Sequence, residues 1–277
     1  MGLFEIKLSF PCSRAWRKTR SQSLATASIK TLHMNIEIRN RHGEKLDYAF
    51  HSTGNESAHL VVIGHGVTAN KDRPFITALA LGLASAGIPT LRFSYSGNGA
   101  SEGQFTESTI SKEVEDLGVV LDAVAGKIVT YIGHSMGGAV GVLRASRDER
   151  IRHLVSLGGM VHTKDFARRE FGEVTPNAGF MWDKPDCPLS QTFVDDMAKV
   201  DSVLSLAGKI QVPWLLIHGD VDDVVPVAES REMIAKANPA LAKLIELPGV
   251  DHVFSDEGMA GMSRAVSAWL MPLVFTR

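Results

Sequence analysis

The sequence predicts an α/β fold: a mostly parallel central sheet with helices on both faces and a small inserted helical cap. Three observations carry that expectation. Short apolar, β-branched runs alternate with helix-length stretches of 3.6-residue apolar period along most of the chain. The run 128–132 meets a Gly-x-Ser-x-Gly turn, Gly133-His134-Ser135-Met136-Gly137, and small and apolar residues then follow at helical spacing. Between 160 and 208 the alternation stops, for longer than a structureless excursion inside a compact domain would allow.

Composition narrows the function classes. At 277 residues the chain is long enough for one large α/β domain or two small ones. A formal net charge of −2 offers no bulk attraction to nucleic acid or to an anionic membrane. No apolar run reaches spanning length, so no stable membrane insertion is expected. Cys12 and Cys187, far apart in sequence, suggest neither a disulfide framework nor a metal site, and a reducing, cytoplasmic setting is the default. His-Glu-x-x-His, Walker and dinucleotide motifs are lacking, so neither metal nor cofactor is expected. Residues 1–33 stand apart: Lys7, Arg14, Arg17, Lys18, Arg20 and Lys30 face a single acid, Glu5, in a Ser- and Thr-rich context. That is the composition of an organelle transit peptide; the alternatives are a disordered extension, or an upstream start taken in place of Met34. The folded domain is expected over 34–277, with the cap at about 160–208.

Taken in order, 34–39 and 45–51 alternate apolar and polar and read as a hairpin about His42-Gly43. Residues 59–63 form a buried strand. Asp72 is the expected N-cap of a helix that opens with Pro74 and runs to about 85. Strand 90–93 leads into a glycine-rich loop, 94–105. An amphipathic helix over 106–124 then places Ile110, Val114, Leu117 and Leu121 on one face. Strand 128–132, helix 136–146 and strand 151–157 follow. Beyond the cap come strand 212–217, helix 227–237, strand 243–247 and helix 258–270. The cap contains Phe166, Phe171, Phe180, Met181, Trp182 and Phe193, which either fill a small core of their own or line a substrate.

In an open parallel sheet, ligands bind outside the carboxyl ends of the strands. The residues just past those ends are His65-Gly66-Val67, the glycine loop, Ser135, the acids Asp220, Asp222 and Asp223, and Asp251-His252. The order Ser, acid, His is that of one class of serine hydrolase. A second Gly-x-Ser-x-Gly copy, around Ser101, lies in a polar loop with no strand before it, so Ser135 is the expected nucleophile. Of ten histidines, His252 follows the last strand and is the expected base. A serine hydroxyl needs a neutral imidazole to accept its proton, and the imidazole needs a carboxylate on its other nitrogen. The tetrahedral oxyanion needs two backbone donors. Met136 N–H directly follows the nucleophile, and Val67 N–H is the natural second. His65, Phe180 and Trp182 are the substrate-lining candidates.

These pieces add up to a resemblance. The chain resembles the α/β-hydrolase superfamily, nearest its serine aminopeptidase-like group with the monoacylglycerol lipases and bacterial cinnamoyl (feruloyl) esterases. The matching stretches are Gly64-His65-Gly66-Val67-Thr68-Ala69-Asn70-Lys71, the glycine loop from Phe93 to Gly103, Gly133-His134-Ser135-Met136-Gly137-Gly138, His218-Gly219-Asp220-Val221-Asp222-Asp223-Val224-Val225-Pro226 and Gly249-Val250-Asp251-His252. The resemblance implies that Asp222 is the acid. Ser94 departs from the aspartate common at its position. The implied activity is hydrolysis of the carboxylic ester of a small or medium acyl group. Rivals are a peptidase or thioesterase with the same three residues, or a non-catalytic binding protein on this fold. The acyl group, the leaving group and the oligomeric state are not implied.

Overall fold

The computed structural model describes residues 31–32, 36–54 and 57–275. Most of the proposed leader therefore lies outside the described residues. Its last part does not: β1 (Thr31–Leu32) pairs antiparallel with β2 (Tyr48–His51), so the sheet begins ahead of residue 34. The expected hairpin is reduced to one bridge, Arg39 to Lys45, closed by Leu46 N–H donating to Ile38 O at 2.8 Å. Asn40 tightens this turn by accepting from the His42 and Glu44 amides. The second half of the hairpin continues as β2 and pairs with β4 (Thr90–Phe93), which draws it away from the first half.

β3 (His59–Gly64) lies between β4 and β5 (Ile128–His134), parallel to both. β6 (Ile151–Leu157), β7 (Trp214–Gly219) and β8 (Ala242–Leu247) continue the parallel array. The eight-stranded order is β1-β2-β4-β3-β5-β6-β7-β8. The chain steps from β3 outward to β4, then crosses back to the other side of β3 as β5. That reversal is the topological switch point, where the strand-end loops diverge and leave a crevice. The loops after β3 and β5 flank it, and they carry Val67 and Ser135.

Period-2 alternation divides the core between the two sheet faces. Val61 and Ile63 pack with α1 (Pro74–Ser85) and α7 (Glu257–Phe275) through Leu79, Leu83, Met262 and Leu270. Leu60 and Val62 face the other way, toward α2 (Ile110–Ala123), α3 (Met136–Ala145) and α6 (Val227–Lys236). Two helix starts differ from expectation. Arg73, not Asp72, is the N-cap of α1; Pro74 is pre-shaped for the first turn, and Asp72 instead pairs with Lys71 and Arg92. α2 begins at Ile110 because Thr109 caps it, accepting from Lys112 N–H at 3.2 Å. A separate short 3₁₀ turn takes Phe105–Glu107.

Between β6 and β7 lie α4 (Thr163–Phe171) and α5 (Gln191–Val200), joined through a 3₁₀ turn at Met181–Asp183. Phe171 packs edge-on against Trp182 at 4.9 Å and contacts Phe166 and Phe193, and this aromatic group joins the core on the α2 and α3 side of the sheet. Among the described residues no helix is long and apolar enough to cross a membrane. Leu79 is fully buried between α1 and the sheet. Leu79→Ala is expected to lower unfolding free energy by about 2–5 kcal/mol, read as a lower urea midpoint at unchanged m-value.

Candidate active site

The site is built on the turn between β5 and α3. Ser135 holds φ 55° and ψ −121°, a conformation that costs a non-glycine residue about 1–3 kcal/mol. The turn persists because its neighbours leave no alternative. A Cβ on Gly133 would run into the Gly137 carbonyl, and one on Gly137 would lie 2.5 Å from His65 O. Ser135 N–H donates to Leu157 O and Ser135 O accepts from Met160 N–H, both at 3.0 Å, which ties the turn to the end of β6. Among the described residues Ser135 Oγ makes no hydrogen bond. It lines a cavity of about 270 Å³ together with Val67, His134, Trp182 and His252.

His252 reaches the same cavity from the loop after β8. Its Nδ1 lies 2.7 Å from Asp222 Oδ2, and its backbone oxygen accepts from His134 Nε2 at 2.9 Å. Buried Phe254, with φ 52°, packs against Phe75 and anchors the loop. Asp222, on the loop after β7, is the acid that meets the histidine. Asp223 is exposed, Asp220 accepts from Gly249 N–H, and Asp251 accepts from Ser255 N–H. Asp222 Oδ1 accepts from the Val224 and Val225 amides at 3.0 and 2.8 Å. Burial alone would raise the Asp222 carboxyl, but hydrogen bonds from His218 and His252 and the Val225 amide outweigh it. They hold the group well below the usual carboxylate range.

His218 is a participant that the sequence motif contains and to which the sequence gives no role. It is fully buried, four residues before Asp222. Its Nε2 faces Val225 O at 2.8 Å and Asp222 Oδ2 at 3.1 Å, so this nitrogen carries the hydrogen. Ser230 Oγ lies 2.7 Å from the other nitrogen. His134 is another such residue. Burial first, and the neighbouring His252 second, push its pKa down to about 3, so it is neutral and holds the His252 backbone through Nε2–H.

Two of the three substrate-lining candidates are corrected. His65 is fully buried and does not line the cavity. Its Nε2 accepts from Tyr95 N–H at 3.1 Å, so Nδ1 carries the hydrogen and donates to Gly66 O at 2.9 Å. Burial pushes its pKa down to about 4. The Gly66 carbonyl and the Val67 N–H share one rigid peptide plane, so His65 aims Val67 N–H from behind. Neither Val67 N–H nor Met136 N–H makes a hydrogen bond among the described residues. Phe180 is 43% exposed and bridges to Pro188, away from the cavity, because the aromatic cluster takes its neighbour Trp182 inward instead. Trp182 lines the cavity, with Nε1 donating to Glu170 Oε2 at 3.0 Å. Ser101 sits in a structural loop: its Oγ donates to Ser94 O at 2.7 Å and accepts from Asp47 N–H. Ser94, despite its departure from aspartate, still anchors the loop after β3 by accepting from Lys71 N–H.

Comparison with known proteins agrees with this architecture. The family model described as alpha/beta hydrolase fold matches residues 59–186. The solved structure of Est1E from Butyrivibrio proteoclasticus with bound ferulic acid superposes with a TM-score of 0.76 at 25% identity, covering 85% of this chain and 98% of that one. The monoacylglycerol lipase of Mycolicibacterium smegmatis is 22% identical over 83% of this chain and 94% of its own length. The human mitochondrial palmitoyl-protein thioesterase ABHD10 is 27% identical over 51% of this chain and 50% of its own.

The low pKa of Asp222 sets a pH dependence of stability. Its charged-state contribution is fully present above the unfolded carboxylate pKa, about 4, and is lost as pH falls through the lower folded value. The unfolding free-energy difference between wild type and Asp222→Asn is therefore expected to be flat above about pH 5 and to shrink below about pH 4. Urea unfolding of both proteins across that range checks it.

Proposed function

We infer that this chain, which belongs to the α/β-hydrolase superfamily, is a serine hydrolase that cleaves a carboxylic ester of a small or medium acyl group through an acyl-enzyme. The observation that carries this reading is a conjunction at one cavity: the unpartnered hydroxyl of strained Ser135, with His252 held 2.7 Å from buried Asp222.

The chemistry follows from those positions. His252 Nε2 takes the Ser135 hydroxyl proton as Oγ bonds to the substrate carbonyl carbon, and the carbonyl electron pair moves onto oxygen. Asp222 keeps the proton on Nδ1 and stabilises the imidazolium. The Val67 and Met136 N–H groups donate to the oxyanion; losing one such donor costs about 100- to 1,000-fold in rate. Collapse expels the leaving oxygen, which receives the proton from Nε2. Water then gives a proton to Nε2 and attacks the acyl carbon. The second collapse frees the carboxylic acid and returns the proton to Ser135. No hydrogen bond joins Ser135 and His252 among the described residues; such pairs commonly tighten only in the Michaelis complex.

A half-open cavity of about 270 Å³ is slightly smaller than usual ligand pockets and favours a small group next to the reacting carbonyl. A thioester undergoes the same acyl transfer, and the partial similarity to a named thioesterase favours testing it as the second reading. Competition between a butyryl ester and a butyryl thioester ranks the two. Ser135→Ala is expected to lower turnover of 4-nitrophenyl butyrate by at least about 1,000-fold, to abolish fluorophosphonate labelling and to leave the unfolding midpoint near wild type. Wild-type turnover in that variant refutes the assignment.

A further inference from the structure

We propose that the cavity over Ser135 is built for an acyl substrate that carries a carboxylate close to its reacting carbonyl, held between Arg73 and Lys184. The proposal rests on the serine-hydrolase reading above and adds a charge requirement to it. The two cations come from different parts of the chain. Arg73 is the N-cap residue of α1, and Lys184 follows the 3₁₀ turn between α4 and α5. Both line the cavity with Ser135, and no Asp or Glu does.

Their placement is convergent. Arg73 Nη2 donates to Thr68 O and Lys184 Nζ donates to Thr68 Oγ1, each at 3.3 Å. Thr68 directly follows Val67, the expected oxyanion donor, and holds a left-handed φ of 55°. Two like charges are thus drawn to one residue at the edge of the reacting centre, with no anion between them among the described residues. Nearby cations are neutralised: Lys71 pairs with Asp47 and Asp72, Arg92 with Asp72, and Arg169 with Glu170 and Glu229. Lys184 pairs with neither Asp183 nor Asp186, its near neighbours in sequence; its ammonium lies 5.3 Å from the Trp182 ring centroid, and both residues line the cavity.

Arg73 is half-buried and Lys184 exposed at the mouth of the cavity, so water screens part of their repulsion, and an anion between them gains from both charges. A guanidinium and an ammonium flanking one gap match a carboxylate, with the fork of Arg73 for paired hydrogen bonds and Lys184 as a point charge. The distance from Thr68 to the oxyanion donor is a single residue, so the carboxylate sits a few bonds from the scissile carbonyl. Either the acyl group is a short dicarboxylate half-ester, or the leaving group carries the acid.

The test compares kcat/KM for 4-nitrophenyl butyrate, mono-4-nitrophenyl glutarate and 4-carboxyphenyl butyrate. Wild type is expected to favour one of the two carboxylate esters over its neutral counterpart, phenyl butyrate serving for the third, by at least about tenfold, with a preference that shrinks in 0.5 M NaCl as the charges are screened. Preference for the glutarate puts the carboxylate on the acyl side; preference for the carboxyphenyl ester puts it on the leaving side. Arg73→Gln and Lys184→Gln are each expected to lower that anionic-to-neutral ratio about tenfold. Arg73→Lys and Lys184→Arg, which keep the charge, are expected to retain most of it. Because the readout is a ratio, a general loss of activity or stability cancels. A wild-type ratio at or below one for both carboxylate esters, or a ratio untouched by both Gln variants, overturns the proposal while leaving the serine-hydrolase reading intact. No turnover of any ester together with no fluorophosphonate label overturns both.

Discussion

The backbone at Ser135 is the constraint on which the rest depends. A residue with φ 55° and ψ −121° does not hold that conformation by itself. It is held because β5 is paired on both sides, because α3 begins at once, and because Gly133 and Gly137 let the strand and helix close to contact. The same turn that strains the serine lifts its hydroxyl clear of the sheet and leaves the first amides of α3 without intrahelical partners. Strain, exposure of the oxygen and availability of Met136 N–H are therefore one structural event.

Four histidines surround this turn, and burial gives each a different task. His65 and His134 are desolvated enough to stay neutral, which fixes their hydrogen-bonding sense. One then aims the peptide of Val67, and the other holds the backbone of His252. His218 and the Val224 and Val225 amides crowd donors around Asp222, so its buried charge is compensated on both oxygens. His252 borders the cavity, as His134 does, and is the one of the two with Asp222 on its far side. A buried carboxylate with that many donors resists protonation, which suits a group meant to stay anionic beside a histidine.

The segment between β6 and β7 is anchored by its aromatic side chains. Phe166, Phe171, Trp182 and Phe193 pack on one another and on the core of the α2 and α3 side of the sheet, so the segment's shape is set by both. From that base it presents Trp182 and Lys184 to the crevice at the switch point. The polar chemistry near the serine comes from strand-end loops, and the further contacts come from this insertion.

Local rules make much of this architecture legible in the sequence. Period-2 and period-3.6 patterns place the strands and helices, since each element's burial is written in its own few residues. The strand–turn–helix around Ser135 separates it from Ser101, because only one of the two glycine-serine turns has a strand feeding it. Chain order brings out an acid and His252, since strand ends of a parallel sheet all point the same way. Family likeness distinguishes Asp222 from Asp220 and Asp223; in the fold, the difference is that only its side chain turns inward to meet two histidines. Which way a loop side chain looks is decided by long-range packing alone. His65 turns under the loop because Tyr95 N–H waits for it thirty residues on, and Phe180 turns outward because Trp182 occupies the aromatic cluster. Strands, helices and the order of the strand-end residues are legible in the chain because they depend on near neighbours. The tertiary structure decided what borders the cavity, because Arg73, Trp182 and Lys184 meet Ser135 only once distant segments have packed.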